Sequence, residues 1–573
     1  VTEHPPINGL PTERPMDRSC LHPAQRARDL AAAACPTFTA DLLVIGAGVT
    51  GAGTALDAAS RGLSVVLVEA GDLAIGTSSR SGKVFHGGLR YLEQLNFKLV
   101  AHAIAERDLM LQTVCPHMAW PEAFVFPLTR CWQRPYVGAG ITLYDLFGLP
   151  GRAVPLQEHF GRAGLKAHIP SIDDQVVVGG IRYHDALMDD ARHTLAVART
   201  AASLGAKVIC GAPVVDFVKD ALGTVGGVVV RDRDTGRRHA LRARAVVNAG
   251  GIWADELQQL AGANTFRVQP AKGVHLLLPA EAIQSDSGIL ARATDSVIIA
   301  RRWYGYWLVG TTDTPWNRAK GHPVPERADI DYLLDNLNRY LSRKVRADQV
   351  LGVFAGLRPL LKPVEGAHGV DTTSALSRDH AVLPGPKGLT TIVGGKYTTY
   401  RRMAEDAVNA ALAPLGITTP SRTATLALVG AERWAQTKGR DNEIALRYRL
   451  GAETVKWLLV RHGDRIDDVL ALADQDASLA QPIDGAPRYL RAELLHAVRA
   501  EGARSLADVM VRRTHLSIEL PDGGLALAPQ VAALIGPELG WDEARSADEL
   551  CAYREGVAAE RAGLDAACGR ASD

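Results

Sequence analysis

An excess of charge of either sign is missing from this chain: 64 Lys and Arg face 63 Asp and Glu, for a formal net charge of +1. That balance removes the electrostatic footprint of a dedicated nucleic-acid binder. Cysteine is scarce. Cys20, Cys35, Cys115, Cys131, Cys210, Cys551 and Cys568 are scattered, odd in number and contain no C-x-x-C pair. Their pattern argues against a disulfide framework or a structural zinc site and fits a reducing compartment. No His/Cys cluster has ligand spacing, so no metal is expected. No uncharged stretch reaches the roughly 18 apolar residues of a membrane span. The longest candidates, residues 42–56 and 523–537, are interrupted by Gly or Pro. The first residues, VTEHPPINGLPTERPMDR, lack the basic-then-apolar order of a secretory signal. Aromatics are only 6% of the chain, which leaves the core to aliphatic side chains.

What is present is ordinary globular composition, 47% hydrophobic and 22% charged over 573 residues. At about 150 residues per domain, four units is an upper bound. Residues 1–39, polar and proline-rich, read as a mobile extension with one short helix. A buried strand at 42–45, an alanine-rich helix at 49–61 and a second strand at 64–68 form a βαβ unit. Helices are expected at 97–115 and 189–204, strands at 206–210 and 245–247, and a hairpin with a Tyr-Gly turn at 296–312. Beyond Ser421 charged, helix-periodic runs at 442–461 and 489–511 imply a helical C-terminal domain, residues 422–573. Residues 40–421 are then an α/β Rossmann-like dinucleotide domain (about 40–115, 185–265 and 355–421) interleaved with an antiparallel-sheet substrate domain (about 116–184 and 266–354).

Gly46-Ala47-Gly48-Val49-Thr50-Gly51 has G-x-G-x-x-G spacing between a strand and a helix, with Glu69 ending the next strand. Gly46 permits the turn, Gly48 lets the backbone approach a pyrophosphate, and Gly51 lets helix and strand pack closely. The helix N-terminus offers N–H groups to the pyrophosphate. Glu69 suits a ribose hydroxyl and repels a 2′-phosphate. The rival is glycine turns in an ordinary parallel sheet. No second fingerprint occurs, and glycine-rich turns recur at Asn248-Ala249-Gly250-Gly251 and Gly394-Gly395-Lys396. A chain returning to one long ligand from distant segments favours FAD over NAD.

Further strings accompany the fingerprint: Thr77-Ser78-Ser79, His86-Gly87-Gly88-Leu89-Arg90-Tyr91-Leu92-Glu93, Lys272-Gly273-Val274-His275, and Gly310-Thr311-Thr312-Asp313. After them come Gly356-Leu357-Arg358-Pro359-Leu360, Ser377-Arg378-Asp379 and Gly394-Gly395-Lys396-Tyr397-Thr398-Thr399-Tyr400-Arg401. Together, over residues 41–402, they resemble the FAD-dependent glycerol-3-phosphate dehydrogenase family, and 489–511 resembles its helical C-terminal domain. Arg80 and Gly82 depart from a stretch that is small and polar in that family, and residues 1–39 have no counterpart in it.

The resemblance implies oxidation of sn-glycerol 3-phosphate to dihydroxyacetone phosphate by hydride transfer to FAD. It further implies a quinone acceptor, or oxygen as in the related oxidases; an amino-acid oxidase of similar fold is a further alternative. It assigns Arg90 and Arg378 to the phosphate, Tyr91 to the substrate site, Arg358 to the reacting oxygen and Lys396 to the flavin edge. Thr311 and Thr312 either hydrogen-bond substrate oxygens or merely finish a strand, and the sequence does not separate the two. Thr77, Ser78, Ser79, His86, Gly87, Gly88, Leu89, Asn248, Gly250, Gly395, Lys396, Thr398 and Thr399 join the fingerprint as cofactor-binding residues. Bidentate guanidinium groups independently suit a phosphate dianion. An exposed loop arginine is the rival reading for Arg378. A general base with a pKa near working pH calls for histidine. His275 is preferred to His86, although a hydrogen-bonded core histidine would look the same.

A quinone lies in the bilayer, so a chain without a spanning helix must dock on the membrane surface. Residues 131–148 set Trp132, Tyr136 and Phe147 beside Arg130 and Arg134, the composition of an interfacial patch; a buried helix is the alternative. The expected setting is cytoplasmic, peripheral on the inner face of the membrane, with a homodimer as a candidate assembly.

Overall fold

The computed structural model describes residues 18–294, 296–363 and 380–569. Its first sheet runs in the order His380–Pro384, Leu389–Gly394, Arg238–Asn248, Ala40–Ile45, Val65–Val68, Lys207–Ile209. All but the outermost pairing are parallel. Ala40–Ile45 is central and nearly all buried, as expected of a strand covered on both faces. Arg238–Asn248 alternates exposed and buried in its first half and is continuously buried in its last four residues. The first half pairs with the antiparallel ribbon Val214–Lys219 and Val225–Arg231, whereas the second enters the parallel sheet. Helices Val49–Ser60, Asp190–Ser203 and Tyr400–Leu412 pack together on one face, and their small residues allow close approach.

The second sheet has ten strands, with Phe266–Leu278 paired along its length to Gly352–Pro363. The expected hairpin is there: Val297–Trp303 pairs with Tyr306–Gly310. Tyr304 and Gly305 both adopt positive φ (50° and 81°), the geometry of the two-residue turn that matches strand twist. Two segment boundaries differ from expectation. Gly352–Pro363 belongs wholly to this second sheet, because its partner strand lies there, and Val84–Phe85 also joins it.

The N-terminal stretch differs too. Pro23–Ala33 is a docked helix that buries Leu30 and Ala33, and its Arg26 binds Asp232 at 2.6 Å. Helical spacing around the Leu30–Cys35 run buries an apolar face, which outweighs the polar composition and fixes the segment from residue 18 onward. In the C-terminal domain, the expected 442–461 helix is two, Asp441–Tyr448 and Ala452–His462, broken where Arg449 turns left-handed (φ 55°).

Buried ion pairs join that domain to the cofactor region. Asp72 accepts from Arg512 at 2.6 Å and Arg513 at 2.7 Å, and Arg192 grips Glu501 at 2.6 and 2.7 Å. His462, His496 and Glu501 lie close enough to hold a metal. However, Arg192 occupies Glu501 and also reaches Nδ1 of His462 at 3.2 Å, so a cation there would be repelled. All seven cysteines are free thiols.

Candidate active site

A cavity of about 910 Å³ runs along the end of the first sheet and under the second. At one end the loop from Ala40–Ile45 into Val49–Ser60 forms its floor. Gly46 has φ +99°, and a Cβ there would sit 2.7 Å from the Ala249 carbonyl oxygen. Gly51 packs so tightly that a Cβ would lie 2.9 Å from the Gly46 carbonyl carbon. Ser78 Oγ accepts the Val49 amide at 2.9 Å and fixes the helix start. Glu69 accepts the amides of Ala47 (2.7 Å) and Gly71 (2.8 Å), and burial raises its pKa.

Gly48, Glu69, Thr77, Ser78, His86, Gly250, Gly395, Lys396 and Thr398 all line this cavity. Gly88 and Leu89 line a neighbouring one of about 770 Å³. Gly51, Ser79, Gly87, Asn248 and Thr399 line neither. These five are supports. The Gly87 amide binds Tyr144 Oη at 2.8 Å, Asn248 donates to the Ala254 carbonyl at 2.9 Å, and Thr399 Oγ1 donates to the Lys396 carbonyl. The Ser79 carbonyl holds the Lys83 ammonium at 2.6 Å.

The two cavities share walls at His86, Tyr91, Gly310, Thr311 and Arg358. Arg358 projects from Gly352–Pro363 and is aimed by three acceptors: Asp313 Oδ1 at 3.2 Å, Thr311 Oγ1 at 3.0 Å and the Thr312 carbonyl at 3.1 Å. Thr312 spends its own hydroxyl on the backbone, accepting from the Val274 amide at 3.0 Å. Thr311 is therefore the threonine at the junction. Arg90 lines the second cavity and donates to Ser296 Oγ at 3.2 Å. The Lys396 ammonium stands 3.4 Å over the Tyr91 ring, a cation–π contact that holds a positive charge at the junction. Arg378 lies outside the described residues.

His275 lines only the first cavity, stacked on Phe354 and pressed against Gly310, where a Cβ would come within 2.7 Å of Nε2. Burial first, then the cations Arg301, Arg358 and Lys83, push its pKa well below the usual value, so the imidazole is neutral. His86 lines both cavities.

Gly273, where a Cβ would be 2.6 Å from Arg358 Nη2, and Asp313 and Ser296, which anchor arginines, are not among the expected site residues. Arg301 is not among them either. The available signal was parity: in Val297–Trp303, Arg301 shares a strand face with Ile299, and both line the first cavity.

A long cavity with a glycine cradle and helix N-terminus at one end and convergent cations at the other fits a flavin dinucleotide and defines an FAD-dependent oxidoreductase. Residues 41–401 match the FAD dependent oxidoreductase family, and residues 421–546 match the C-terminal domain of alpha-glycerophosphate oxidase. The chain is 46% identical over 546 residues to glycerol-3-phosphate dehydrogenase 2 of Mycobacterium tuberculosis, covering 95% of this chain and 92% of the relative. It is 46% identical over 558 residues to the glycerol-3-phosphate dehydrogenase of Mycobacterium leprae, covering 97% and 94%. The glycerol-3-phosphate dehydrogenase from Bacillus halodurans complexed with FAD superposes with a TM-score of 0.76 at 27% identity, covering 96% and 98% of the two chains. The chain belongs to the FAD-dependent glycerol-3-phosphate dehydrogenase family.

Proposed function

We propose that this protein oxidises sn-glycerol 3-phosphate to dihydroxyacetone phosphate and delivers the electrons to a membrane quinone. The carrying observation is the junction itself: Arg358, Thr311 and the Lys396–Tyr91 pair converge where two cavities meet, with Arg90 further along the second. FAD, when bound, supplies the acceptor for the hydride leaving C2.

This chain's residues do the rest. Arg90, with Arg378, binds the phosphate, and its guanidinium suits a dianion as a single ammonium does not. Arg358 and Thr311 hold the C2 oxygen, and Asp313 keeps Arg358 in line. His275 receives the hydroxyl proton. Burial, and after it the neighbouring cations, keep it unprotonated at rest, and the incoming phosphate charge offsets the cations, raising its proton affinity when substrate is bound.

The quinone reading is supported by the second cavity, whose walls include Phe97, Phe124, Tyr136, Val137 and Leu143. Its wall residue Tyr136 is 53% exposed, and Trp132, 58% exposed, lies beside it with ring centroids 6.4 Å apart. Helix Gln133–Phe147 buries Ile141 and Tyr144 on its other face, so the interfacial and buried readings each describe one side of it. Phe147 packs against the core. Among the described residues no helix is long and apolar enough to cross a membrane. Surface docking is thus the proposed route to quinone. A second reading, oxygen as acceptor, is favoured by the match to an oxidase C-terminal domain.

Anaerobic addition of sn-glycerol 3-phosphate should bleach the flavin absorbance, and a short-chain quinone should restore it faster than air does. Faster return with air makes the protein an oxidase. Bleaching by an amino acid and not by the phosphate ester overturns the substrate.

A further inference from the structure

Buried arginines in this fold come with carboxylates. Arg107 binds Asp185 at 2.9 Å, Arg192 binds Glu501, Arg461 binds Glu493 at 2.7 Å and Arg513 binds Asp72 at 2.7 Å. Arg301 is the exception. It is 1% exposed, yet among the described residues its Nε and Nη2 find no hydrogen-bond partner and no carboxylate lies within ion-pair distance. Asp190 and Glu122 act on it only through space. Asp190 is taken by the Lys83 ammonium and the amides of Ser81 and Ala191, both at 2.8 Å. An unpaired buried cation costs several kcal/mol, and the strain shows: burial draws the guanidinium pKa down to about 9. Such a group persists where its counter-charge arrives with a ligand.

Position identifies that ligand. Arg301 lines the first cavity and not the second, where Arg90 waits. It stands at the reacting end, away from the Gly46–Gly51 loop: a Cβ on Gly82 would be 3.7 Å from Arg301 Nη2 and 3.8 Å from His275 Nε2. We infer that Arg301 is the cofactor's counter-cation, pairing with the electronegative atoms of the flavin ring and stabilising the charge the ring gains on reduction.

The balance is simple. Hydride transfer moves one proton and two electrons from C2 of the substrate to the ring, while the hydroxyl proton leaves separately. One negative charge therefore stays on the ring, and a cation beside it favours the reduced form. Arg301 is also the strongest of the charges depressing His275. Neutralising it as the ring gains charge raises the proton affinity of His275 at the moment the hydroxyl proton is released, coupling the two transfers.

The test compares Arg301→Met, similar in length and uncharged, with Arg301→Lys, measured on the FAD-loaded protein by dye equilibration without substrate. Arg301→Met is expected to shift the reduction equilibrium tenfold or more toward the oxidised form, about 30 mV for a two-electron couple, and Arg301→Lys to recover most of it. The FAD-free Arg301→Met protein should melt no lower than wild type, since it loses an unpaired buried charge. An unchanged potential in Arg301→Met overturns the inference. If KM for glycerol 3-phosphate then rises tenfold, the cation serves the substrate phosphate instead. A lower melting temperature without FAD would assign Arg301 a structural partner and overturn it too. The potential is read without substrate, so the result stands apart from the proposed substrate and acceptor.

Discussion

Gly51→Ala tests the cofactor cradle most directly. A methyl group there would lie 2.9 Å from the Gly46 carbonyl carbon and 3.3 Å from Ala249 Cβ. The first obstacle is backbone in the turn, which cannot rotate away as a side chain could, so the helix Val49–Ser60 must retreat from the strand. Overpacking of this kind costs about 1–3 kcal/mol, and a backbone obstacle places it at the upper end. If residues 41–401 unfold together, at roughly 2.1 cal/mol/K per residue, 3 kcal/mol lowers the midpoint by about 4 °C. The retreat also carries the start of the helix, with the amide of Thr50, away from the cavity. Losing one charge-assisted hydrogen bond, roughly 1.5–3 kcal/mol, weakens FAD binding about 10- to 100-fold. Differential scanning fluorimetry of the FAD-free protein and titration by flavin-fluorescence quenching measure the two effects. Gly556→Ala is the control: it lies mid-helix in Glu543–Ala567 with nothing within 4 Å of the added methyl. It should stabilise by about 0.5–1 kcal/mol and leave FAD affinity alone. Gly51→Ala with wild-type melting and wild-type affinity would refute the argument that this contact positions the helix.

Asp72→Ala should destabilise by about 3–5 kcal/mol in thermal unfolding, because it strands the buried guanidinium groups of Arg512 and Arg513. Burial lowers the pKa values of His117 and His193 to about 3. The unfolded chain binds more protons below pH 6.5, so stability falls as pH drops from 6.5 toward 3. Each histidine takes about 1.4 kcal/mol per pH unit in that window, and chemical denaturation of His117→Gln should show a shallower acid limb. Arg358→Ala should lower kcat more than it raises KM, and Arg90→Ala chiefly raise KM for glycerol 3-phosphate; equal rises in KM with kcat unchanged would reject that division. Trp132→Asp should weaken flotation with anionic liposomes while leaving anaerobic flavin reduction intact, because Trp132 lines neither cavity, and unaltered flotation removes the patch.

The βαβ unit, the fingerprint and the hairpin were legible in the chain because each depends on near neighbours. Strand parity, helix-permitting small residues and the positive-φ turn at Tyr304–Gly305 need no distant partner. The strings carrying Arg90, Arg358 and Lys396 were legible by their resemblance; the glycines near Arg90 and Lys396 marked turns, whereas Arg358, read from its glycine and proline as a turn residue, lies inside the strand Gly352–Pro363, paired with Ala271. Which threonine faces the junction was not legible. Thr311 and Thr312 are adjacent and chemically alike, and only the partner strand, which offers the Val274 amide to one of them, separates their roles. The docking of Pro23–Ala33 was hidden for a similar reason: its counterparts, Asp232 and Asp234, lie some 200 residues away. Arg301 shows the limit most clearly. As a residue in a strand it looks like any charged position on an exposed edge. Only the assembled sheets reveal it as buried, uncompensated and directed into the cofactor cavity, since the cost of a buried charge depends on what surrounds it and not on its neighbours in sequence.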